Sequence, residues 1–249
     1  RRCDGVGSRR RHARRDPGRL NDPSGSTLRD DLTVTGVICL QGGREFTIEC
    51  REMDAEVLRS AGPGPVAVLP GAARPGSDYA GASTRASRHY AALGADVVVV
   101  PDPRDDADAA VAALAAGISL IVLPGGSPAS LREVLSGRIE ERVLQLHAEG
   151  SAISGASAGA MVLCAQMVQP GGRPEVVDGL GLVDGLALPH WSAGSDRGWP
   201  VPDDLDLWGL PECGGVVLAA GVARAAGPGE AQSRQDGQWQ PVPRAPRTR

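Results

Sequence analysis

Short aliphatic runs alternate with longer segments of helical spacing from about residue 34 to residue 219. Residues 34–40 predict a strand, with Gly42-Gly43 close behind it. Residues 52–61 predict a helix, and 66–69 a strand closed by Pro70-Gly71. Residues 78–93 predict a second helix, stopped by Gly94. Val97, Val98, Val99 and Val100 form a run too apolar for a half-exposed strand. Residues 105–116 form an Ala-rich helical stretch, and 119–123 another buried strand, halted by Pro124-Gly125-Gly126. Leu131, Val134, Leu135, Val143 and Leu146 then recur at helical spacing, with a capping box expected from Ser130 to Glu133. Residues 152–154 are a short strand before a helix from Ala160 onward, and 216–219 give a last strand.

Continuous β-branched runs between helices predict a parallel sheet covered on both faces. The expected class is therefore α/β, a three-layer αβα sandwich around a mostly parallel central sheet. Ligands of such sheets sit beyond the carboxyl ends of the strands. Gly42-Gly43, Pro70-Gly71, Gly125-Gly126 and Ser157 all fall just past strand ends, so they gather along one edge.

The two ends of the chain differ in composition. Residues 1–30 hold nine Arg and four Asp, with few large apolar side chains, and are expected to be a disordered extension. No apolar stretch follows their arginines, as a twin-arginine signal would need. The main domain is placed at 31–226, and 227–249, rich in Pro, Gln and Arg, reads as a loose tail. The net charge of −4 gives no reason to expect nucleic acid or a membrane as partner. The cysteines (Cys3, Cys39, Cys50, Cys164, Cys213) are odd in number and lack a CxxC, which argues against a disulfide framework or zinc site and for a cytoplasmic setting. Cys164 is expected inside the helix after Ser157.

Gly155-Ala156-Ser157-Ala158-Gly159 fits the G-x-S-x-G pattern, and its strand-to-helix context is that of a nucleophile elbow. A serine on so sharp a turn tolerates only small neighbours, and the helix N-terminus beneath it favours negative charge. A serine nucleophile needs a base. His12 lies in the Arg-rich start, and His89 and His147 lie within helices, whereas His190 ends an apolar stretch and enters a loop. Glu175, Asp178, Asp184, Asp196 and Glu212 are all candidates for the acid that orients the imidazole. Glu212 is a lone acid in an otherwise apolar stretch. The N–H groups of Ala158 and Gly126 are the expected oxyanion donors, and Ser127-Pro128 also fits a helix cap.

These segments resemble the serine peptidase family of aspartyl dipeptidase (peptidase E) and cyanophycinase, whose fold is class I glutamine amidotransferase-like. The resemblance rests on Gln41-Gly42-Gly43-Arg44-Glu45, Pro124-Gly125-Gly126-Ser127, Gly155-Ala156-Ser157-Ala158-Gly159-Ala160, Gly179-Leu180-Gly181-Leu182 with His190, and Gly209-Leu210-Pro211-Glu212. It spans roughly residues 34–226. It implies Ser157 as nucleophile, His190 as base and Glu212 as third member, with Glu175 or Asp178 as the alternative acid. The implied reaction is hydrolysis of a peptide or isopeptide bond next to aspartate, through an acyl-enzyme and without cofactor or metal. The implied partner is a small peptide, and a homodimer is left open. An acidic substrate calls for a cation, and Arg44, Arg85 and Arg197 are the candidates. The arginine run that the family carries after its histidine is missing here, and Trp191 follows His190 instead. The competing readings are a non-catalytic binding or regulatory domain on the same fold, an amidotransferase, which needs cysteine at position 157, and an α/β-hydrolase esterase, which shares the elbow.

Overall fold

A computed structural model describes residues 36–169, 173–192, 199 and 201–244. The Arg-rich start, the beginning of the first predicted strand, Asp196 and Arg197 lie outside these residues.

The alternating pattern of the sequence becomes a seven-stranded sheet. Its strands are β1 (Ile38–Gln41), β2 (Val66–Val68), β3 (Val97–Val99), β4 (Leu120–Leu123), β5 (Ala152–Ala156), β10 (Gly215–Ala219) and β11 (Val222–Ala226), in the order β11-β10-β1-β5-β4-β2-β3. The five strands from β1 to β3 are mutually parallel, and β10 and β11 add an antiparallel edge. Side chains on a strand alternate between faces, so a strand buried on both sides must be apolar throughout. Ile38, Leu40, Ile121, Leu123 and Ile153 accordingly join one apolar cluster, and Cys39, Val66, Val68, Leu120 and Val122 the other. Helices α1 (Arg51–Ala61) and α2 (Ser77–Ala92) cover the second face through Met53, Val57, Ala86 and Tyr90. Helices α3 (Ala107–Ala113), α4 (Pro128–Val134), α5 (Gly137–Ala148) and α6 (Ala158–Leu163) cover the first. The result is the expected three-layer sandwich. Among the described residues no helix is long and apolar enough to cross a membrane.

Four local expectations need correction. The four-valine run is not fully buried: β3 is the outer edge strand, and Val99 is 41% exposed because no strand lies beyond it. The helix expected around 131–146 is two helices, broken at Gly137 with φ +52°. Its cap is Ser127, whose hydroxyl accepts from Ser130 N–H with Pro128 in the first turn, so Ser130 lies inside α4 and forms no capping box. Cys164 is buried as expected but opens a strand rather than continuing the helix.

A fifth correction is the largest. A second sheet contains β6 (Cys164–Gln169), β7 (Glu175–Asp178), β8 (Val183–Pro189), β9 (Leu207–Leu210), β12 (Gln232–Gln235) and β13 (Gln238–Pro241), in the order β13-β12-β9-β8-β6-β7. The segment read as a loose tail thus supplies a hairpin, β12–β13, hydrogen-bonded to β9. Its burial has a physical source: Trp239 stacks on Trp191 with ring centroids 4.3 Å apart, and Ala231 and Val242 are buried beside it.

Candidate active site

Two strand registers build the site. Parallel pairing of β1 with β5 sets Gln41 opposite Ala156, so the next residues, Gly42 and Ser157, emerge together at the carboxyl edge. Ser157 N–H donates to Gln41 O at 2.9 Å. Parallel pairing of β8 with β9 sets Pro189 opposite Leu210, so His190 and the Pro211-Glu212 turn emerge side by side. Glu212 sits on the connection from β9 in the second sheet to β10 in the first.

The three side chains form a continuous line. Ser157 Oγ is 2.9 Å from His190 Nε2, and His190 Nδ1 is 2.7 Å from Glu212 Oε1. An ionised carboxylate only accepts, so Nδ1 carries the proton donated to Glu212. Nε2 then holds a lone pair facing the Ser157 hydroxyl, the tautomer a general base requires. Glu175 and Asp178 lie on β7, on the far side of β6 from His190, and Asp184 lies on β8 with its side chain exposed. The structure brings none of these three to the imidazole.

Backbone strain gathers at the same place. Ser157 has φ +49° and His190 φ +55°, and Cys213, next to Glu212, has φ +56°. Non-glycine residues reach this region at a cost of about 1–3 kcal/mol each and stay there only when their surroundings hold them. The elbow is held by close backbone contact: a Cβ on Gly155 would lie 2.5 Å from Gly159 C, and one on Gly159 2.2 Å from Leu123 O. These contacts account for the small residues flanking Ser157.

The Gly125-Gly126 turn lies against Ser157, since a Cβ on Gly125 would come within 3.2 Å of Ser157 Cβ. Gly126 has φ +147° and packs on Ala72 O, so no side chain fits there. Gly125 N–H is taken by Glu45 Oε1 at 2.9 Å, while Gly126 N–H has no partner among the described residues. Ala158 opens α6 directly after Ser157. Glu45 is therefore a site residue that its place in the Gly-Gly-x-Glu turn flagged only as part of a motif.

Of the proposed cations, Arg44 lies 3.7 Å from Glu212 Oε2 and 3.9 Å from Glu49 Oε1, with its side chain 57% exposed. Arg85 lines a cavity of about 490 Å³ that begins at Gly125-Gly126 and runs along α2 past Ser77 and Gly81. Asp78 and Arg74 also face this cavity, paired with each other at 2.8 Å.

The model of peptidase family S51 matches residues 26–200. A crystal structure of a peptidase from an acI-B1 Actinobacterium superposes with a TM-score of 0.72 at 19% identity, covering 85% of this chain and 96% of that one. A candidate peptidase E protein from Listeria monocytogenes EGD-e superposes with a TM-score of 0.52 at 16% identity, covering 80% of this chain and 98% of that one. No curated protein matches significantly.

Proposed function

Since this chain belongs to peptidase family S51, and is thereby a serine peptidase, we propose that it cleaves a peptide or isopeptide bond beside an aspartate through an acyl-enzyme. The observation that carries the mechanism is the unbroken line from Ser157 Oγ to His190 to Glu212. In the first step the Ser157 hydroxyl proton passes to His190 Nε2 as Oγ bonds to the substrate carbonyl carbon. The carbonyl oxygen becomes an oxyanion, held by the N–H groups of Gly126 and Ala158. In other enzymes removing one such donor costs about 10²–10³ in rate. The C–N bond then breaks, and the leaving amine takes the proton from Nε2. Water attacks the ester, gives its proton to Nε2, and Ser157 recovers it as the acid product leaves. Glu212 stabilises the imidazolium in both halves.

The aspartate preference rests on the resemblance to the aspartyl dipeptidase and cyanophycinase group, and Arg85, which lines the same cavity as the Gly125-Gly126 turn, is the cation suited to it. A cytoplasmic setting is part of the same proposal. The test is hydrolysis of Asp-X dipeptides and of a β-aspartyl-arginine dipeptide by wild type and Ser157→Ala. The expected result is turnover of one substrate class that vanishes in the variant. Absence of both turnover and fluorophosphonate labelling of Ser157 would replace this reading with a non-catalytic binding domain.

A further inference from the structure

One stretch of chain, residues 41–46, touches every part of the site. Gln41 O accepts from the nucleophile's N–H at 2.9 Å, and Gly42 O accepts from His190 N–H at 2.8 Å. Gly43 lies under the imidazole, where a Cβ would be 2.4 Å from His190 Cε1. Arg44 faces Glu212, and Glu45 holds the oxyanion turn. Gly43, Arg44 and Phe46 all have positive φ, at +139°, +53° and +67°. Such a segment keeps its shape only if something fixes it from below.

Both of its ends rest on one buried pair. The Gln41 side chain, 2% exposed, donates from Nε2 to Asp54 Oδ1. The other oxygen, Asp54 Oδ2, is 2.8 Å from His89 Nε2. The His89 ring in turn packs against Phe46, with centroids 5.6 Å apart, and against Tyr90 at 5.4 Å. The side chains of Asp54 and His89 are 1% and 9% exposed. Asp54 comes from α1 and His89 from α2, so the pair also ties together the two helices on this face.

We propose that Asp54 and His89 are positioning residues, a buried clamp that fixes both ends of the 41–46 segment and so sets the relative placement of Ser157, His190, Glu212 and the oxyanion turn. The inference rests on the peptidase reading for its effect on catalysis, but not for its effect on geometry. A buried carboxylate is costly to retain, and burial does push the Asp54 carboxyl up from its ordinary value, with the His89 and Gln41 bonds drawing it partly back. An apolar residue would serve packing alone at less cost. A carboxylate with one oxygen on each partner gives directional control that packing lacks.

The test uses the full chain and three substitutions. Asp54→Leu removes both hydrogen bonds. His89→Phe keeps a ring against Phe46 but offers no donor, and it carries the test where Asp54→Leu does not fold. His89→Gln restores a side-chain N–H towards Asp54. Misplacement of reacting groups by about 1 Å costs up to about 100-fold, so fluorophosphonate labelling of Ser157 should slow by about 10- to 100-fold in Asp54→Leu or His89→Phe. The loss should fall on kcat rather than KM, and His89→Gln should recover most of it. The downfield proton resonance of His190 Nδ1–H should weaken in the two clamp variants, a readout independent of turnover. Val57→Ala, a cavity in the same α1 packing, is the control for lost stability. A clamp variant that is folded, labels at the wild-type rate and keeps the resonance overturns the proposal. So does a loss that Val57→Ala reproduces at equal Tm. If wild type is inert but the resonance still depends on the clamp, the peptidase reading fails and the clamp stands.

Discussion

Glu212 uses its two oxygens differently. Oε1 holds the imidazole at 2.7 Å, while Oε2 faces Arg44 at 3.7 Å across a half-exposed gap. Glu212→Gln can still accept from Nδ1–H but cannot stabilise the imidazolium. By analogy with other triads, kcat should fall by about 10²–10⁴ with little change in Tm. The Arg44 pair is exposed and long, a kind of contact worth about 0–1 kcal/mol and screened by salt. Arg44→Ala should therefore change kcat/KM by less than about fivefold, and less still at high salt. Comparing the two variants at two salt concentrations tests both statements. His147 gives a prediction in pH. Burial lowers its imidazole below the ordinary value of 6.5, opposed by the Nδ1–H bond to Ser151 O at 2.9 Å. The folded state thus binds this proton more weakly than the unfolded state. The stability it contributes is full above about pH 6.5 and is lost as pH falls through the lower folded value. Urea unfolding at neutral and mildly acidic pH should show that loss, and His147→Asn, which keeps a donor near Nδ1 but does not titrate, should flatten it.

At the scale of elements, two glycines in different backbone settings separate activity from stability. Gly43 borders the His190 ring, 2.4 Å from where its Cβ would stand, and the ring can swing away on its loop. Gly159 borders Leu123 O at 2.2 Å, and that carbonyl belongs to β4 in the middle of the sheet. Gly43→Ala should therefore silence Ser157 labelling at a stability cost set by alanine strained at φ +139°, about 1–3 kcal/mol, whereas Gly159→Ala, which drives a Cβ into sheet backbone, should lower Tm further. Thermal melts read beside labelling rates would expose a reversal of that order. Both glycines were legible in the sequence as turn residues, because a strand–glycine–helix pattern is local. What each one touches was not, since His190 meets Gly43 only through the pairing of sheets that sequence spacing does not encode. The same limit explains the acids. Ser157, His190 and Glu212 could be nominated from local context and the family resemblance, with Glu175 and Asp178 as alternatives, but the contact that sets Glu212 beside His190 comes from the β8–β9 register. His89 reads in the sequence as an ordinary helix residue, and its partner Asp54 carries no motif. Their meeting depends on α1 and α2 packing on one face of the sheet.

At the scale of the whole molecule, the first sheet, apart from its edge strand β11 with exposed Arg224, was readable because its inner strands are apolar on both faces. The second was not. Its strands β7, β12 and β13 are short and polar, with Gln232, Arg234, Gln238 and Gln240 among their residues, and the composition of 227–249 mimics a disordered tail. What orders the hairpin is a long-range contact, Trp239 on Trp191, one residue beyond His190. Trp191 is itself wedged over Gly209, where a Cβ would lie 2.8 Å from its ring, and its backbone N–H donates to Leu210 O at 2.8 Å. The carboxyl-terminal hairpin thereby packs against the loop that presents His190, about 40 residues away in sequence, and is placed to brace it. Removing residues 228–249 would bare the β9 edge as well as this ring, and an unpaired edge invites aggregation, so truncation alone would confuse the two effects. Trp239→Ala leaves the backbone of the hairpin in place and deletes only the stack, a contact worth about 0.5–1.5 kcal/mol beyond its buried area. The expected outcome is a lower Tm and a fall in kcat that exceeds any rise in KM, with Trp239→Phe restoring most of both. If Trp239→Ala lowers Tm but labels Ser157 at the wild-type rate, the hairpin stabilises the second sheet without steadying the base.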